Sequence, residues 1–270
     1  MDSLSLNFFG VGDGAADASR NHASFLYNFP NGSFVLDCGE PLSRSFKASG
    51  ADFQNFDRIL ISHLHSDHIG GFFMFIQGLW LQRRTRPVTV HLPADAIKPI
   101  RQMLEAVYLF PEVLPFALLF EPHRSGEPVC FNNIVITPFR TAHLDRTRER
   151  NAAKYPGNYD AFCFLIQTNS LRIGHSADLD SPRDLAPLLQ EPLDLLVCEL
   201  AHFQPTELFA ALQGRPIRKL ALVHLSAELW STRDAVAKLA KNMLSGVEIV
   251  IPRDNDTLGV KPVADASNLP

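Results

Sequence analysis

No run of apolar residues in this 270-residue chain approaches the roughly 20 that cross a bilayer, and Met1 to Asn7 show neither the basic start nor the unbroken apolar stretch of a secretion signal. A membrane-spanning chain is therefore not expected; a cytoplasmic one is. Cysteine is scarce as well. Cys38, Cys130, Cys163 and Cys198 stand far apart, mostly inside apolar runs such as Ala161 to Ile166. That distribution argues against a disulfide framework and leaves reduced core thiols. Basic charge is not in excess either: the formal net charge is -4 and the pI about 6.2, which disfavours binding of long nucleic acid through phosphate neutralisation. The local clusters Arg83, Arg84, Arg86 and Arg146, Arg148, Arg150 read first as solvated faces. No strong linker, low-complexity tract or repeat period is recognisable. With 46% hydrophobic residues there is ample material for a core, and a single domain over residues 1–270 is expected.

What is present is a succession of short apolar, β-branched and aromatic runs. Leu4 to Phe9, Ser24 to Phe29, Ser33 to Asp37, Arg58 to Ser62 and Val88 to Leu92 read as strands, with Asn31-Gly32 as a hairpin signal between two of them. Ala94 to Tyr108 has helical spacing. In the second half, Val129 to Thr137, Ala161 to Thr168 and Leu171 to Gly174 read as strands before a helix-like Ser181 to Gln190, with Pro182 placed for its first turn. Leu193 to Glu199, Lys219 to Leu225 and Val247 to Ile251 are continuous apolar strands interleaved with helical Pro205 to Gln213 and Thr232 to Leu244. Continuous runs imply strands covered on both faces, so the expected fold is α/β with two packed sheets and helices outside each, an αββα sandwich. The apolar stretch Tyr108 to Pro122 fits no tidy element and is expected to contribute mainly to the core.

The densest chemistry lies directly after Arg58 to Ser62. His63-Leu64-His65-Ser66-Asp67-His68 packs four potential metal ligands into six residues at a strand's mouth. Imidazoles mixed with a carboxylate, and no thiolate, suit a hydrolytic site that keeps a position open for water or substrate. Single polar residues then follow later strands: His143 after Ile134 to Ala142, Asp178 after Ile173 to Ala177, and His224 after Leu220 to Val223. Strand ends converge at one edge of a layered sheet, so these side chains can meet despite their separation in sequence.

The series HLHSDH, TAH, GHSAD and LVHLS resembles the ligand series of the metallo-β-lactamase-fold hydrolases. Phe8 to Gly14, Arg20-Asn21-His22-Ala23-Ser24 and Leu36-Asp37-Cys38-Gly39-Glu40 resemble the opening of the ribonuclease Z branch. Carried over by position, the resemblance implies one metal held by His63, His65 and His143, a second held by Asp67, His68 and His224, and Asp178 bridging them. It also implies the four-layer fold of that superfamily. Two such ions, about 3.5–4 Å apart, generate a bridging hydroxide near neutral pH and stabilise the oxygens of an in-line displacement. Asp67 is expected to orient that nucleophile as well as to ligate. His65 stands where the iron-binding, oxygen-reducing members have a glutamate, which favours two Zn2+, with Mn2+ or Fe2+ still able to occupy the site.

The resemblance is incomplete in two places. Transfer-RNA-processing members insert a long arm between the third histidine and the bridging aspartate, whereas here only Leu144 to Ala177 lies between them. Transfer RNA is therefore not the expected substrate. The branch's His-Glu-Ala-Thr-Phe segment appears as Cys198-Glu199-Leu200-Ala201-His202-Phe203, which makes His202 a candidate proton donor to the leaving oxygen, oriented by Glu199. The stretch Asp145 to Asp160, with Arg148, Tyr155 and Tyr159, is a candidate lid over an anionic substrate, and His22 a candidate substrate contact. His175 is a candidate support for the site; His91 and His123 read as surface or structural.

The expected activity is a dinuclear zinc phosphodiesterase acting on small phosphodiesters such as cyclic nucleotides or nucleotide-derived diesters, in a chain that forms a homodimer by the same resemblance. A lactone, thioester or carboxylic-ester hydrolase is the enzymatic alternative, favoured by the apolar Phe72 to Ile76 beside the ligand cluster. A metal-bearing sensor without turnover is the alternative of another class.

Overall fold

The computed structural model describes residues 3–262. A first sheet is started by β1 (Leu4–Gly10), β2 (Ser24–Phe29), β3 (Gly32–Cys38), β4 (Arg58–Leu60), β5 (Val88–Leu92) and β6 (Leu118–Pro122). A second follows with β7 (Val129–Phe131), β8 (Ile134–Thr141), β9 (Ala161–Gln167), β10 (Arg172–His175), β11 (Leu195–Leu200), β12 (Lys219–Leu225) and β13 (Glu248–Val250). The chain then returns, and β14 (Asp256–Val260) pairs antiparallel with β1 to complete two sheets of seven strands each.

Both sheets have the same plan. Antiparallel hairpins make one half, β1-β2-β3 in the first sheet and β7-β8-β9-β10 in the second; parallel strands reached through crossovers make the other, β3-β4-β5-β6 and β10-β11-β12-β13. The carboxyl ends of β3, β4, β8, β10, β11 and β12 consequently emerge along one edge of the sandwich. At that edge the Phe162 N–H donates to the Ser62 carbonyl at 3.2 Å and ties the sheets together.

Side-chain alternation sorts the core into layers. In β3, Phe34 and Leu36 face the other sheet beside Phe8, Phe25, Phe164 and Val197, while Val35 packs outward. The outer face of the first sheet is covered by α1 (Leu42–Ala48), α3 (Phe72–Leu81) and α4 (Ile97–Ala106), with the single turn α2 (Ser66–Ile69) at the edge. The second sheet is covered by α6 (Pro205–Leu212) and α8 (Arg233–Met243), whose buried Leu208, Phe209, Val236 and Ala240 meet Leu196, Leu220 and Leu222. Between these lie α5 (Asp145–Asn151), which buries no side chain, and α7 (Ala227–Ser231). The αββα sandwich read from the sequence is the observed fold. Among the described residues no helix is long and apolar enough to cross a membrane.

Several local expectations are corrected. Val129 to Thr137 is a hairpin rather than one strand: Asn132 and Asn133 take left-handed φ values of 47° and 65°, which suit asparagine and the twist of a tight turn. The hairpin between β2 and β3 turns on Pro30-Asn31, with Phe29 paired to Gly32. Ser181 to Gln190 is not one α-helix but two 3-10 turns, Pro182–Leu185 and Leu188–Gln190, because Pro187 has no N–H to continue the first. Tyr108 to Pro122 hides the edge strand β6, and its apolar residues divide between buried Leu109, Leu114 and Phe116 and exposed Tyr108, Val113 and Leu119.

Arg84 is not part of a solvated face. It is fully buried and donates to the carbonyls of Phe53, Phe56, Arg86 and Pro87, with its guanidinium 4.6 Å from the Phe56 ring centre. One planar cation thus satisfies four backbone acceptors where the chain enters β4 and β5. Arg84→Met leaves those buried carbonyls unpaired and is expected to destabilise by about 2–3 kcal/mol, read from chemical denaturation. A loss below about 0.5 kcal/mol, the range of an ordinary surface change, would contradict this role.

Candidate metal centre

The chain leaves β4 at Leu60, passes Ser62 and delivers His63 and His65 before Asp67 and His68 in α2. β8 delivers His143 just beyond its end, β10 delivers Asp178 across Ser176-Ala177, and β12 carries His224 as its penultimate residue. These seven side chains meet as two donor groups: His63, His65, His143 and Asp178 in one, Asp67, His68, Asp178 and His224 in the other.

The shared Asp178 divides its carboxylate between them. Its Oδ2 lies 3.7 Å from His63 Nε2 and 3.6 Å from His143 Nε2, while its Oδ1 lies 3.2 Å from His68 Nε2 and 3.7 Å from His224 Nε2. Within the groups, His143 Nε2 is 3.2 Å from His65 Nδ1, and Asp67 Oδ2 is 3.1 Å from His224 Nε2 and 3.3 Å from His68 Nε2. Tetrahedral ligands about 2.0–2.2 Å from an ion stand about 3.3–3.6 Å apart, so these gaps match donors gathered round cations. His63 Nε2, His68 Nε2 and Asp178 Oδ1 are buried without a hydrogen-bond partner. Facing orphan atoms of this kind are costly in a sealed protein, and a cation held between them would satisfy them.

Why the orphan atoms are Nε2 is settled one shell out, at Asp37. Asp37 has a left-handed φ of 58°, so the alternation of β3 slips and Cys38 packs outward with Val35. The Asp37 carboxylate accepts from the Ser62 N–H at 2.7 Å and the Ser62 hydroxyl at 2.8 Å, and lies 2.7 Å from His68 Nδ1. Since the Ser62 hydroxyl spends its proton on Asp37, it accepts from His63 Nδ1 at 3.0 Å. Both imidazoles therefore carry their proton on Nδ1 and turn Nε2 toward the centre. Sequence reasoning missed this role for Asp37; the available signal was a lone acid at the end of an apolar strand. Gly39 completes the local fit, because a Cβ there would fall 2.3 Å from the Asp67 carbonyl.

Electrostatics agree with ligation. Burial alone would raise the Asp178 carboxyl, but His224, His68 and His63 hold it well below the usual range; Asp67 is likewise held low against burial by His224 and His68. Burial pushes His63 down and lowers His143 to about 4. His68 goes the other way: burial lowers it, yet Asp178 and Asp37 outweigh that and raise it well above the usual imidazole range. The carboxylates thus call for positive charge at the centre, supplied by a proton when no cation is bound.

His202 lies at the open side, its ring 4.7 Å from that of His143 and its Nε2 3.9 Å from Asp178 Oδ2. Its Nδ1 contacts Glu199 Oε1 at 2.8 Å; Glu199 also accepts from the backbone N–H groups of Leu179, Ala201 and His202. Glu199, His202 and His224 have donor atoms close enough to form a third group, but those four donors already occupy the Glu199 oxygens, so Glu199 orients rather than ligates.

The other expected contacts are not drawn into the cluster. His22 packs beside Gly39, its backbone N–H bonded to the Glu40 carbonyl, and it is in neither donor group. Arg148 is in α5, 3.4 Å from Asp145 and 44% exposed; Tyr155 is 57% exposed and its carbonyl accepts from the Tyr159 hydroxyl at 2.6 Å. Arg140 pairs with both Asp145 and Asp160, closing the ends of this segment, and Asn158 is bonded to Asp95. His175 belongs to the inter-sheet core, its Nδ1 hydrogen-bonded to the Tyr27 hydroxyl at 2.7 Å, and burial lowers it to about 3. His91 and His123 are buried, not at the surface.

The strand-edge centre and the sandwich around it define a ribonuclease-Z-like protein of the metallo-β-lactamase fold. The structure is similar to that of the metallo-β-lactamase-fold protein YhfI from Bacillus subtilis, with a TM-score of 0.73 at 18% identity over 95% of this chain and 99% of that one. The chain belongs to the family described as anti-Pycsar protein Apyc1, whose model matches residues 4–214. It is 29% identical to ribonuclease Z of Archaeoglobus fulgidus over 139 residues, 52% of this chain and 44% of that protein, so it spans about half the length of that relative. It is 23% identical to ribonuclease Z of Halorubrum lacusprofundi over 98% of this chain and 99% of that protein. That alignment runs to 316 positions, so the relative carries segments this chain lacks.

Asp37→Ala frees the protons that Asp37 now fixes on Ser62 and His68 and is expected to weaken metal binding by about 10–100-fold, measured by competition with a chelator. Unchanged affinity would show that Ser62 and packing alone set the imidazoles.

Proposed function

We propose that the chain is a single hydrolase domain that holds two divalent cations, zinc in the first instance, and cleaves small phosphodiesters such as cyclic nucleotides or nucleotide-derived diesters. The observation that carries this reading is the division of Asp178, one oxygen toward each donor group, against buried Nε2 atoms that have no other partner. His63, His65 and His143 hold one ion with Asp178, and Asp67, His68 and His224 hold the other with Asp178. A cation pair of this kind supplies a water-derived nucleophile near neutral pH and polarises the ester oxygens.

The residues of the chain supply orientation and proton transfer. Asp67 meets His68 and His224 through Oδ2, so Oδ1 is free of protein partners among the described residues to accept from the attacking water. His202 donates a proton from Nε2 to the leaving oxygen. Burial alone would lower this imidazole, but the hydrogen bond and charge of Glu199, with Asp178, raise it to about 9, so it is protonated at neutral pH.

Small substrates are favoured over transfer RNA because Leu144 to Ala177 is taken up by α5, a short loop, β9 and β10, which leaves no arm. Arg148, Tyr155 and Tyr159, in the segment clasped by Arg140, would have to move toward the cluster to meet an anionic ligand, and they and His22 stay candidate contacts on the sequence reading alone. The apolar run beside the cluster gives the acyl-ester reading little support: Phe72, Phe75 and Ile76 are buried in α3 against the outer face of the first sheet, and Met74 is exposed. A silent sensor is disfavoured by the full donor set. The homodimer belongs to the same proposal and rests on the resemblance; the cytoplasmic location belongs to it too and rests on the four scattered free cysteines.

His202→Ala with both ions bound is expected to lower kcat on a bis-aryl phosphodiester at least tenfold; an unchanged rate removes the proton-donor role. The donor form is lost on the alkaline side of the pH profile, and Glu199→Gln, by removing the charge that holds the proton, moves that limb to lower pH. A limb that stays in place assigns it to another group. Arg148→Ala is expected to raise KM for the anionic diester several-fold more than for a neutral aryl ester, and equal effects on both would show that Arg148 does not meet the phosphate.

A further inference from the structure

His224 is held in a conformation that its residue type does not favour. Its φ is 52°, in the left-handed region, and the β11-β12 pairing shifts register there, so that Leu200 faces Leu225 and His224 is skipped. A non-glycine residue in this region at a strand end costs about 1 kcal/mol, and something else must hold it. On one side the His224 N–H donates to the Val11 carbonyl at 2.8 Å and Leu225 bridges to Gly12. On the other, the Leu225 carbonyl accepts from Arg20 Nη1 at 2.6 Å.

Arg20 is itself held by several contacts. It is 5% exposed; its Nε donates to Asp17 Oδ2 at 2.9 Å, its Nη2 lies at ion-pair distance from the same oxygen without a hydrogen bond of its own, and its guanidinium lies 5.3 Å from the Trp230 ring centre, which Arg233 flanks at 5.4 Å. Asp17 is locked in turn by the N–H and hydroxyl of Ser19. The segment carrying Arg20 is anchored by Asp254, which accepts from the N–H groups of Val11 and Asn21. None of these groups belongs to either donor group, so the chain commits a buried cation and its counter-ion to the peptide unit that follows a candidate ligand.

We propose that Arg20 is a positioning residue: through its hydrogen bond to the Leu225 carbonyl it holds His224 in the left-handed conformation that turns Nε2 toward Asp67 and Asp178. This rests on the metal-pair reading above and adds to it. Arg20 governs the Asp67, His68, Asp178 and His224 group and leaves the His63, His65 and His143 side intact.

The test is binding of Zn2+ to the full-length protein, resolved ion by ion by chelator competition, with the visible spectrum of the Co2+-substituted protein as a second readout. In Arg20→Met one ion is expected to bind at least tenfold more weakly while the other stays within twofold, and the cobalt bands of the weakened position lose intensity. His224→Ala weakens the same ion and identifies it. Arg20→Lys, which keeps a cationic donor for the Leu225 carbonyl, restores part of the affinity. Asp17→Asn loosens the same clasp from a half-buried position, shifts that ion in the same direction, and stands alone if Arg20→Met does not fold. Unchanged affinities, or equal weakening of both ions, would overturn the proposal while the metal pair stands. A wild-type protein that takes up fewer than two ions would instead remove the reading beneath it, and this inference with it.

Discussion

The fold is organised around one buried carboxylate. Asp178 is 2% exposed and lies within ion-pair distance of His63, His68, His143, His202 and His224. Removing a carboxylate from water costs several kcal/mol unless charge and hydrogen-bond donors replace the solvent. The Thr141 hydroxyl fixes its backbone carbonyl, and the N–H of the next residue, Leu179, is held by Glu199. The two sheets must therefore close at a single edge, with β4, β8, β10 and β12 ending at one height, for that carboxylate to be compensated.

Three residues at the same edge depart from regular strand geometry. Asp37, Ala177 and His224 all have left-handed φ values, of 58°, 44° and 52°, and stand at or just beyond the ends of β3, β10 and β12. The first turns its acid under His63 and His68, the second precedes Asp178, and the third is itself a donor. Strand ends that ran on in regular geometry would point these side chains along the sheet faces. Outliers of this kind persist only where surrounding contacts over-determine them, as Ser62, Glu199 and the Arg20 clasp do here.

Much of this was legible in the sequence. The strands were readable because continuous apolar runs mark strands covered on both faces, and the donor residues because each follows such a run; β2, β5 and β12 fall on the expected bounds. What stayed hidden depended on geometry that periodicity does not carry. The Asn132-Asn133 turn splits one apolar run into two strands, Pro187 cuts one helix into two short turns, and β6 lies in a proline-broken stretch. Arg84 looked like surface charge because sequence shows the cation but not the four carbonyls folded around it. Asp37 was visible only as part of a resemblance, since its role arises from a slipped strand register and a neighbour, His68, far along the chain.

The central claim is that the Asp178 carboxylate joins two cation sites. It is tested most directly by anomalous diffraction at the zinc edge from crystals grown with zinc. The account predicts two peaks about 3.5–4 Å apart, one on each side of Asp178, with His63, His65 and His143 around the first and Asp67, His68 and His224 around the second. No peak at this edge, or peaks that leave Asp178 unbound with His143 and His224 turned away, would contradict it.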